Sequence, residues 1–235
     1  MFYFEKINGK KVLKSDLLNE AEHFFTTKES FIKTKEEEFF DTVEKNTNDI
    51  KKYLKTDILI SPRQTHGDNI AFVGNKRLYP NTDALILKRT DCAIFLNFAD
   101  CTPVILYDKR NNTGAIAHAG WRGTALQIAL KTLKKMGSNP KDVTALIGPC
   151  ICFKCFETSD EAISLLKNTL NDTKDLFLGN YADLKGINAR MLEQEGVENI
   201  DICPYCTCCD NDLFFSYRKE NKTTNRISAV LKLNP

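Results

Sequence analysis

Between Asp57 and His118 the chain carries six short apolar segments, at 58–60, 70–73, 84–87, 93–98, 104–107 and 113–118. Runs of this length, rich in Ile, Leu, Val and Phe, read as β-strands. Helical spacing enters only afterwards. Over 124–136, Leu126, Ala129, Leu130 and Leu133 fall on one stripe, with Gly137 as a stop and Pro140 just beyond it. A strand at 143–147 follows, and Ser159 before Asp160 and Glu161 starts a further helix. The segment 183–195 predicts another helix, ended by Gly196, and 199–203, 214–218 and 226–231 read as the last strands. Strands in succession, then strands mixed with helices, imply an α+β fold with packed mixed sheets flanked by helices, not a regular βαβ winding. The charged block from Lys28 to Lys55, with Phe39, Phe40 and Val43 interspersed, is the solvated face of a helical or loop region.

No repeat, low-complexity linker or Pro/Gly/Ser-rich boundary divides the chain, so residues 1–235 are expected to form a single domain. A net charge of +2 creates no field that would select nucleic acid or an anionic membrane. A small-molecule substrate follows as the expectation, with the chain a monomer or small homo-oligomer. Met1-Phe2-Tyr3-Phe4 reaches charge too early for a signal peptide, and no apolar run approaches the roughly 20 residues needed to span a bilayer. A cytoplasmic location is therefore expected. There the nine cysteines are thiols or metal ligands rather than disulfides.

The polar stretch Lys109-Arg110-Asn111-Asn112, followed by Gly114, is a hairpin signal between two apolar runs. Pairing across it brings Cys101, ahead of the first strand, to within about two residues of register of His118 near the end of the second. Pro103 suits the first position of that strand because it has no N–H to give to a ladder. His66 lies in a separate loop beside Gly67, and spacing alone does not carry it to the other two. If all three meet, two imidazoles and a thiolate make a zinc site with one position open, which is how catalytic zinc is held. Copper fits this ligand set less well. Taken singly, each residue also reads as a core or surface side chain.

The turn after His118, Gly120-Trp121-Arg122-Gly123, can hold an anion with helix-start N–H groups and the Arg122 fork. Alternatively the glycines only shape the turn and Trp121 packs in the core. Asp100 is a candidate for proton transfer or for orienting a ligand, and equally for a strand cap; Gln64 is a candidate of the first kind.

Taken in order, Gln64-x-His66-Gly67, Thr82-Asp83-Ala84, Ala99-Asp100-Cys101-x-Pro103, His118-Ala119-Gly120-Trp121-Arg122-Gly123 and Ile147-Gly148-Pro149-Cys150-Ile151 resemble the motifs of the laccase-domain family. The likeness continues through Asp183-Leu184 with Asn188, Cys206-Thr207-x-Cys209 and Phe214-Phe215-Ser216-Tyr217-Arg218. That family is labelled multicopper polyphenol oxidase and is associated with purine nucleoside phosphorylase activity and, in some bacteria, peptidoglycan-precursor editing. The resemblance implies zinc on His66, Cys101 and His118. It also implies phosphorolysis of adenosine, inosine, guanosine and methylthioadenosine with phosphate as co-substrate, together with adenosine deamination. On this reading Cys101, Asp100 and Arg122 are catalytic, and Gln64, Lys28, Arg122 and Asn188 meet the substrate. Lys28 stands where the family commonly has arginine, which supplies charge without the planar fork.

Two other readings come from the same residues. One is amide hydrolysis of a peptidoglycan precursor, by the zinc centre or by Cys101 with His118 as base. The other is a non-enzymatic zinc module built on Cys152-x-x-Cys155 and Cys203-x-x-Cys206, with Cys208 and Cys209. Multicopper oxidase chemistry needs many imidazoles, whereas this chain has only His23, His66 and His118. A His-x-Glu deaminase signature and a Gly-rich nucleotide loop are both absent from the sequence.

Overall fold

The computed structural model describes residues 1–76 and 78–235. It opens with β1 (Phe2–Ile7), β2 (Lys10–Ser15) and β3 (Ala21–Thr26), an antiparallel meander, then helix α1 (Phe40–Leu54) and the short β4 (Leu59–Ile60). The central part contributes β5 (Ile70–Phe72), β6 (Ala84–Leu87), β7 (Ala93–Phe98), β8 (Thr102–Asp108), β9 (Thr113–Ala119), α2 (Trp121–Ala125), α3 (Ile128–Met136) and β10 (Val143–Ile147). After helix α4 (Asp160–Lys167) come the β11 (Phe177–Leu178) and β12 (Tyr181–Ala182) ribbon, α5 (Leu184–Gln194), β13 (Asn199–Ile202) and β14 (Ile227–Leu233).

Two six-stranded sheets result, ordered β1-β2-β3-β14-β7-β4 and β13-β10-β8-β9-β6-β5. Both are mixed, because β4 with β7, β5 with β6 and β10 with β13 pair parallel among otherwise antiparallel neighbours. Period-two alternation assigns the faces. Leu85 and Leu87 of β6 join Ile105 and Ile116 against Phe25, Leu96, Phe98 and Leu231 of the other sheet. Ala84 and Ile86 point the opposite way, under Ile128 and Leu133 of α3 and Leu192 of α5. On the far side Ile50 and Leu54 of α1 cover Val12, Phe24 and Val230. The layers run helix, sheet, sheet, helix, which is the expected α+β arrangement. Every residue of β8, β9 and β14 is buried, so these strands are apolar on both faces apart from a few polar positions such as His118, Ser228 and Lys232. Gly114 belongs to this packing: a Cβ there would lie 2.6 Å from Leu231 Cδ2.

Three expectations need revision. The helix read over 124–136 is two helices, broken at Gln127 in the left-handed region with φ 59°. The break lets α2 pack toward α4 and α5 while α3 lies on the sheet, and Leu126 of the supposed stripe is 43% exposed. Segment 214–218 is not a strand. Phe214 and Phe215 are apolar because they anchor an irregular loop in the core between the sheets. The meander β1–β3 lies ahead of the region read as strands from sequence. No helix among the described residues is long and apolar enough to cross a membrane.

Candidate metal centre

The chain passes between the sheets at 61–69, from β4 to β5, and at 99–101, from β7 to β8. Because β4 and β7 run parallel, both crossings leave from the same end. Antiparallel pairing of β8 with β9 sets the end of β9 there too, with Pro103 opposite His118 and Thr102 opposite Ala119. Cys101 thus faces Gly120. A Cβ on Gly120 would stand 2.8 Å from Cys101 Sγ and 3.6 Å from His66 Cδ2, so a side chain there would push into the cluster. Gly123 is similarly constrained, its Cβ position lying 2.7 Å from the His118 carbonyl oxygen. His66 and Asp100 are held at φ 62° and 80°, left-handed conformations that cost non-glycine residues about 1 kcal/mol or more and gather at functional sites.

These crossings bring His66, Cys101 and His118 together, with one donor atom from each lying within 4.8 Å of the others. The two imidazole rings meet edge to face at 4.7 Å between centroids. His118 is buried, Cys101 half-buried and His66 exposed, so the cluster reaches solvent on the His66 side.

Asp83, at the head of β6, organises the cluster. Its Oδ1 accepts from His118 Nδ1 at 2.8 Å and from the His66 N–H at 2.9 Å; its Oδ2 accepts from the Gly67 N–H at 2.9 Å and the Thr65 N–H at 3.0 Å. Burial alone would raise this carboxyl, but His118 and the Gly67 and Thr65 N–H groups bring it down to about 2. Asp83 therefore stays ionised, fixes His118 as the Nδ1–H form and leaves Nε2 for the cluster. Burial also opposes charge on Cys101 and His118. Their mutual attraction prevails in both, lowering the thiol and, with Asp83, raising the imidazole, so the metal-free pair favours thiolate and imidazolium.

Two imidazole nitrogens and a thiolate suit a borderline-soft divalent metal, and a buried carboxylate behind one imidazole is the usual support for such a ligand. Three donors leave one position of a tetrahedron free. The residues fit a metal, with His66, Cys101 and His118 as its holders.

The other residues singled out from sequence sit around this cluster in different ways. Asp100 adjoins Cys101; its Oδ1 accepts from Thr207 Oγ1 at 2.6 Å and its Oδ2 from the Arg218 N–H at 2.7 Å. Gln64 uses both ends of its amide on the backbone of Asn97, at 2.8 and 2.9 Å, clamping the first crossing to β7. Asn188 is fully buried and donates to Thr124 Oγ1 at 2.9 Å, so it ties α5 to α2 rather than facing solvent. Lys28 is paired with Glu220 at 2.8 Å, and its charge is shared with that carboxylate. Arg122 is exposed, stacked 4.2 Å over Trp121, and makes no ion pair among the described residues. Since α2 is little more than one turn long, the anion-holding capacity expected at this turn rests on the guanidinium.

Sequence reading assigned no role to Asp83, Thr207, Arg218 or Arg226. Arg218 gives its guanidinium to the carbonyl oxygens of Cys155 and Glu157, at 3.3 and 2.8 Å. The Arg226 guanidinium donates to the carbonyls of Thr223 and, at 2.7 Å, Asn225 and lies 6.0 Å over Tyr217; burial lowers it, against Cys101, Tyr217 and Asp100, whose charges raise it. Only the Thr-Asp-Ala motif hinted at Asp83.

The family described as Multi-copper polyphenol oxidoreductase laccase matches residues 32–234. A purine nucleoside phosphorylase of Clostridium acetobutylicum is 31% identical over 192 residues, covering 79% of this chain and 81% of that protein. An adenosine deaminase, RL5, from an unknown prokaryotic organism is 32% identical over 184 residues, covering 69% of this chain and 70% of its own. The crystal structure of the hypothetical protein YfiH from Bacillus licheniformis superposes with a TM-score of 0.87 at 30% identity, covering 98% of this chain and 99% of that one.

Proposed function

From the chain's membership of the Multi-copper polyphenol oxidoreductase laccase family, we propose that it is a zinc-dependent purine nucleoside phosphorylase with an adenosine deaminase side activity. Adenosine, inosine, guanosine and methylthioadenosine are its substrates, and residues 1–235 act as one unit in the cytoplasm. The observation that carries this reading is the open three-donor cluster of His66, Cys101 and His118 over a buried Asp83. The names of the two relatives described above supply the substrate class. The family's oxidase description finds little support in the ligands. His23, the one histidine outside the cluster, is buried in β3, where its Nε2 accepts from the Ser15 N–H at 3.1 Å.

In phosphorolysis a phosphate oxygen bonds to the ribose anomeric carbon as the bond to the purine nitrogen breaks. Zinc, when bound, supplies a Lewis acid for an oxygen of the substrate or co-substrate. The chain's own groups do the rest. Asp83 holds the Nδ1 proton of His118, so that Nε2 keeps its lone pair for the metal. Arg122 has no carboxylate partner among the described residues and can take the charge of phosphate with its fork. Asp100, held from both sides by Thr207 and Arg218, fixes the turn that presents Cys101. Adenosine deamination is a separate reaction at a different atom, in which water adds to C6 of the purine and ammonia leaves; a zinc held by His66, Cys101 and His118 would supply the activated water for it.

The test is base release from inosine with and without phosphate. Release that requires phosphate and yields ribose 1-phosphate supports the reading; equal release without phosphate refutes phosphorolysis.

One observation favours a second reading. Cys101, His118 and Asp83 form a thiolate, imidazolium and carboxylate series, the arrangement of a cysteine hydrolase such as a peptidoglycan-precursor amidase. His66 has no duty in that chemistry. His66→Ala should abolish turnover if a metal is used and spare it if the thiolate acts alone.

A further inference from the structure

Two Cys-x-x-Cys turns take no part in the chemistry above. Cys152–Cys155 follows the Gly148-Pro149 exit from β10, and Cys206–Cys209 follows β13. The sequence suggested Cys203 as the partner of Cys206, but Cys203 is buried in the core between the sheets, and Cys209 is the fourth member. One Sγ from each of Cys152, Cys155, Cys206 and Cys209 lies within 4.8 Å of the others. Cys155 and Cys209 are 3.4 Å apart, and Cys152 and Cys209 4.0 Å. With zinc–sulfur bonds of about 2.3 Å, the sulfurs of a regular tetrahedron stand about 3.8 Å from one another. A disulfide needs about 2.05 Å and would occupy only two of the four.

The backbone points the same way. The N–H groups of Cys152 and Cys209 are both directed at Cys206 Sγ, at 3.2 and 3.4 Å. Outer-shell N–H donors aimed at a sulfur are the kind of support that orients a metal ligand. Each turn is closed on itself, the Cys155 N–H donating to the Cys152 carbonyl at 3.0 Å and the Asp210 N–H to the Cys206 carbonyl at 2.8 Å.

We propose that Cys152, Cys155, Cys206 and Cys209 hold a structural zinc ion, separate from the cluster of His66, Cys101 and His118. Four thiolates close the coordination shell, so this ion has no open position for substrate. Binding exchanges four thiol protons for the cation, the protons pass to solvent, and no electron moves.

Its role follows from what the two turns carry. Thr207, next to Cys206, donates to one oxygen of Asp100, and the N–H of Arg218 donates to the other. The Arg218 guanidinium in turn grips the carbonyls of Cys155 and Glu157. Segments 150–157 and 206–218 contain no regular strand or helix and are tied to each other by an isolated bridge between Cys150 and Cys206, by the Thr207 N–H on the Cys150 carbonyl at 3.1 Å and by the Arg218 contacts, to which a zinc would add a covalent-strength link. A zinc joining them sets the position of Asp100 and, through it, of the Cys101 turn.

The experiment is zinc analysis by mass spectrometry, with X-ray absorption, on three proteins purified under reducing conditions: wild type, His66→Ala/Cys101→Ala and Cys155→Ser/Cys209→Ser. About two zinc ions per chain are expected in the first and about one in each of the others. In His66→Ala/Cys101→Ala the remaining ion should have sulfur neighbours only. That variant keeps all four cysteines, so the test survives if the serine variant fails to fold. The proposal is overturned if His66→Ala/Cys101→Ala binds no zinc, or if a Cys155–Cys209 disulfide takes its place. A single zinc in wild type with four sulfur neighbours upholds this site and counts against the other; a single zinc with mixed nitrogen and sulfur neighbours does the reverse.

Discussion

Replacing Asp83 with asparagine changes almost no volume and removes one charge, which isolates what the buried carboxylate does. Its surroundings hold it at about 2 against an ordinary 3.8, a preference for the anion of about 2.5 kcal/mol. An amide nitrogen at the Oδ2 position would face the Gly67 N–H; at the Oδ1 position it would face the N–H of His66 and the ring N–H of His118. Either orientation strands at least one buried donor, at about 1–3 kcal/mol, and withdraws the charge from His118. The metal-free Asp83→Asn protein should therefore lose about 3 kcal/mol of stability in urea unfolding at pH 7.5. Its zinc affinity, read by chelator competition, should fall about 10- to 100-fold because His118 is no longer fixed in its Nδ1–H form. An affinity within about threefold of wild type, with stability within about 0.5 kcal/mol, would refute the role given to Asp83.

Three further outcomes follow. Gly120→Ala places a Cβ 2.8 Å from Cys101 Sγ, so it should weaken zinc binding about tenfold or more while the far-ultraviolet circular dichroism stays that of wild type; unchanged zinc affinity would show that the turn yields without cost. His23 is pulled down to about 4 by burial, so it stays neutral in the fold while the unfolded chain takes up a proton below about 6.5. Its contribution is complete above pH 6.5 and is lost as the pH falls toward 4. The stability of wild type should thus fall by about 3 kcal/mol more than that of His23→Gln between pH 7 and 4, and parallel curves would contradict this. Arg122→Gln should raise the KM for phosphate about tenfold at unchanged zinc content, with partial recovery in Arg122→Lys; an unaltered KM would remove Arg122 from phosphate binding.

The centre of the fold was legible because β8 and β9 are buried on both faces and joined by a polar turn, so their pairing and its register follow from the chain itself. That pairing carried Cys101 to His118. His66 comes from a crossing between sheets, and no local pattern announces the length or direction of such a crossing. Asp83 escaped a role for a related reason: its partners are backbone N–H groups 16 to 18 residues away and a ring 35 residues away. The stripe over 124–136 misled because Leu126 caps the end of α2 at the break and is exposed, while Leu133 lies on α3, which packs on the sheet. Phe214 and Phe215 misled likewise, since apolar residues that anchor a loop have the same composition as a short strand.

The most direct test of the metal-centred reading is zinc reconstitution. Protein stripped by chelator should have no phosphate-dependent inosine cleavage, and adding zinc should restore it in wild type but not in Cys101→Ala or His118→Ala. Full activity in the stripped wild type, or restoration in either variant, would contradict it.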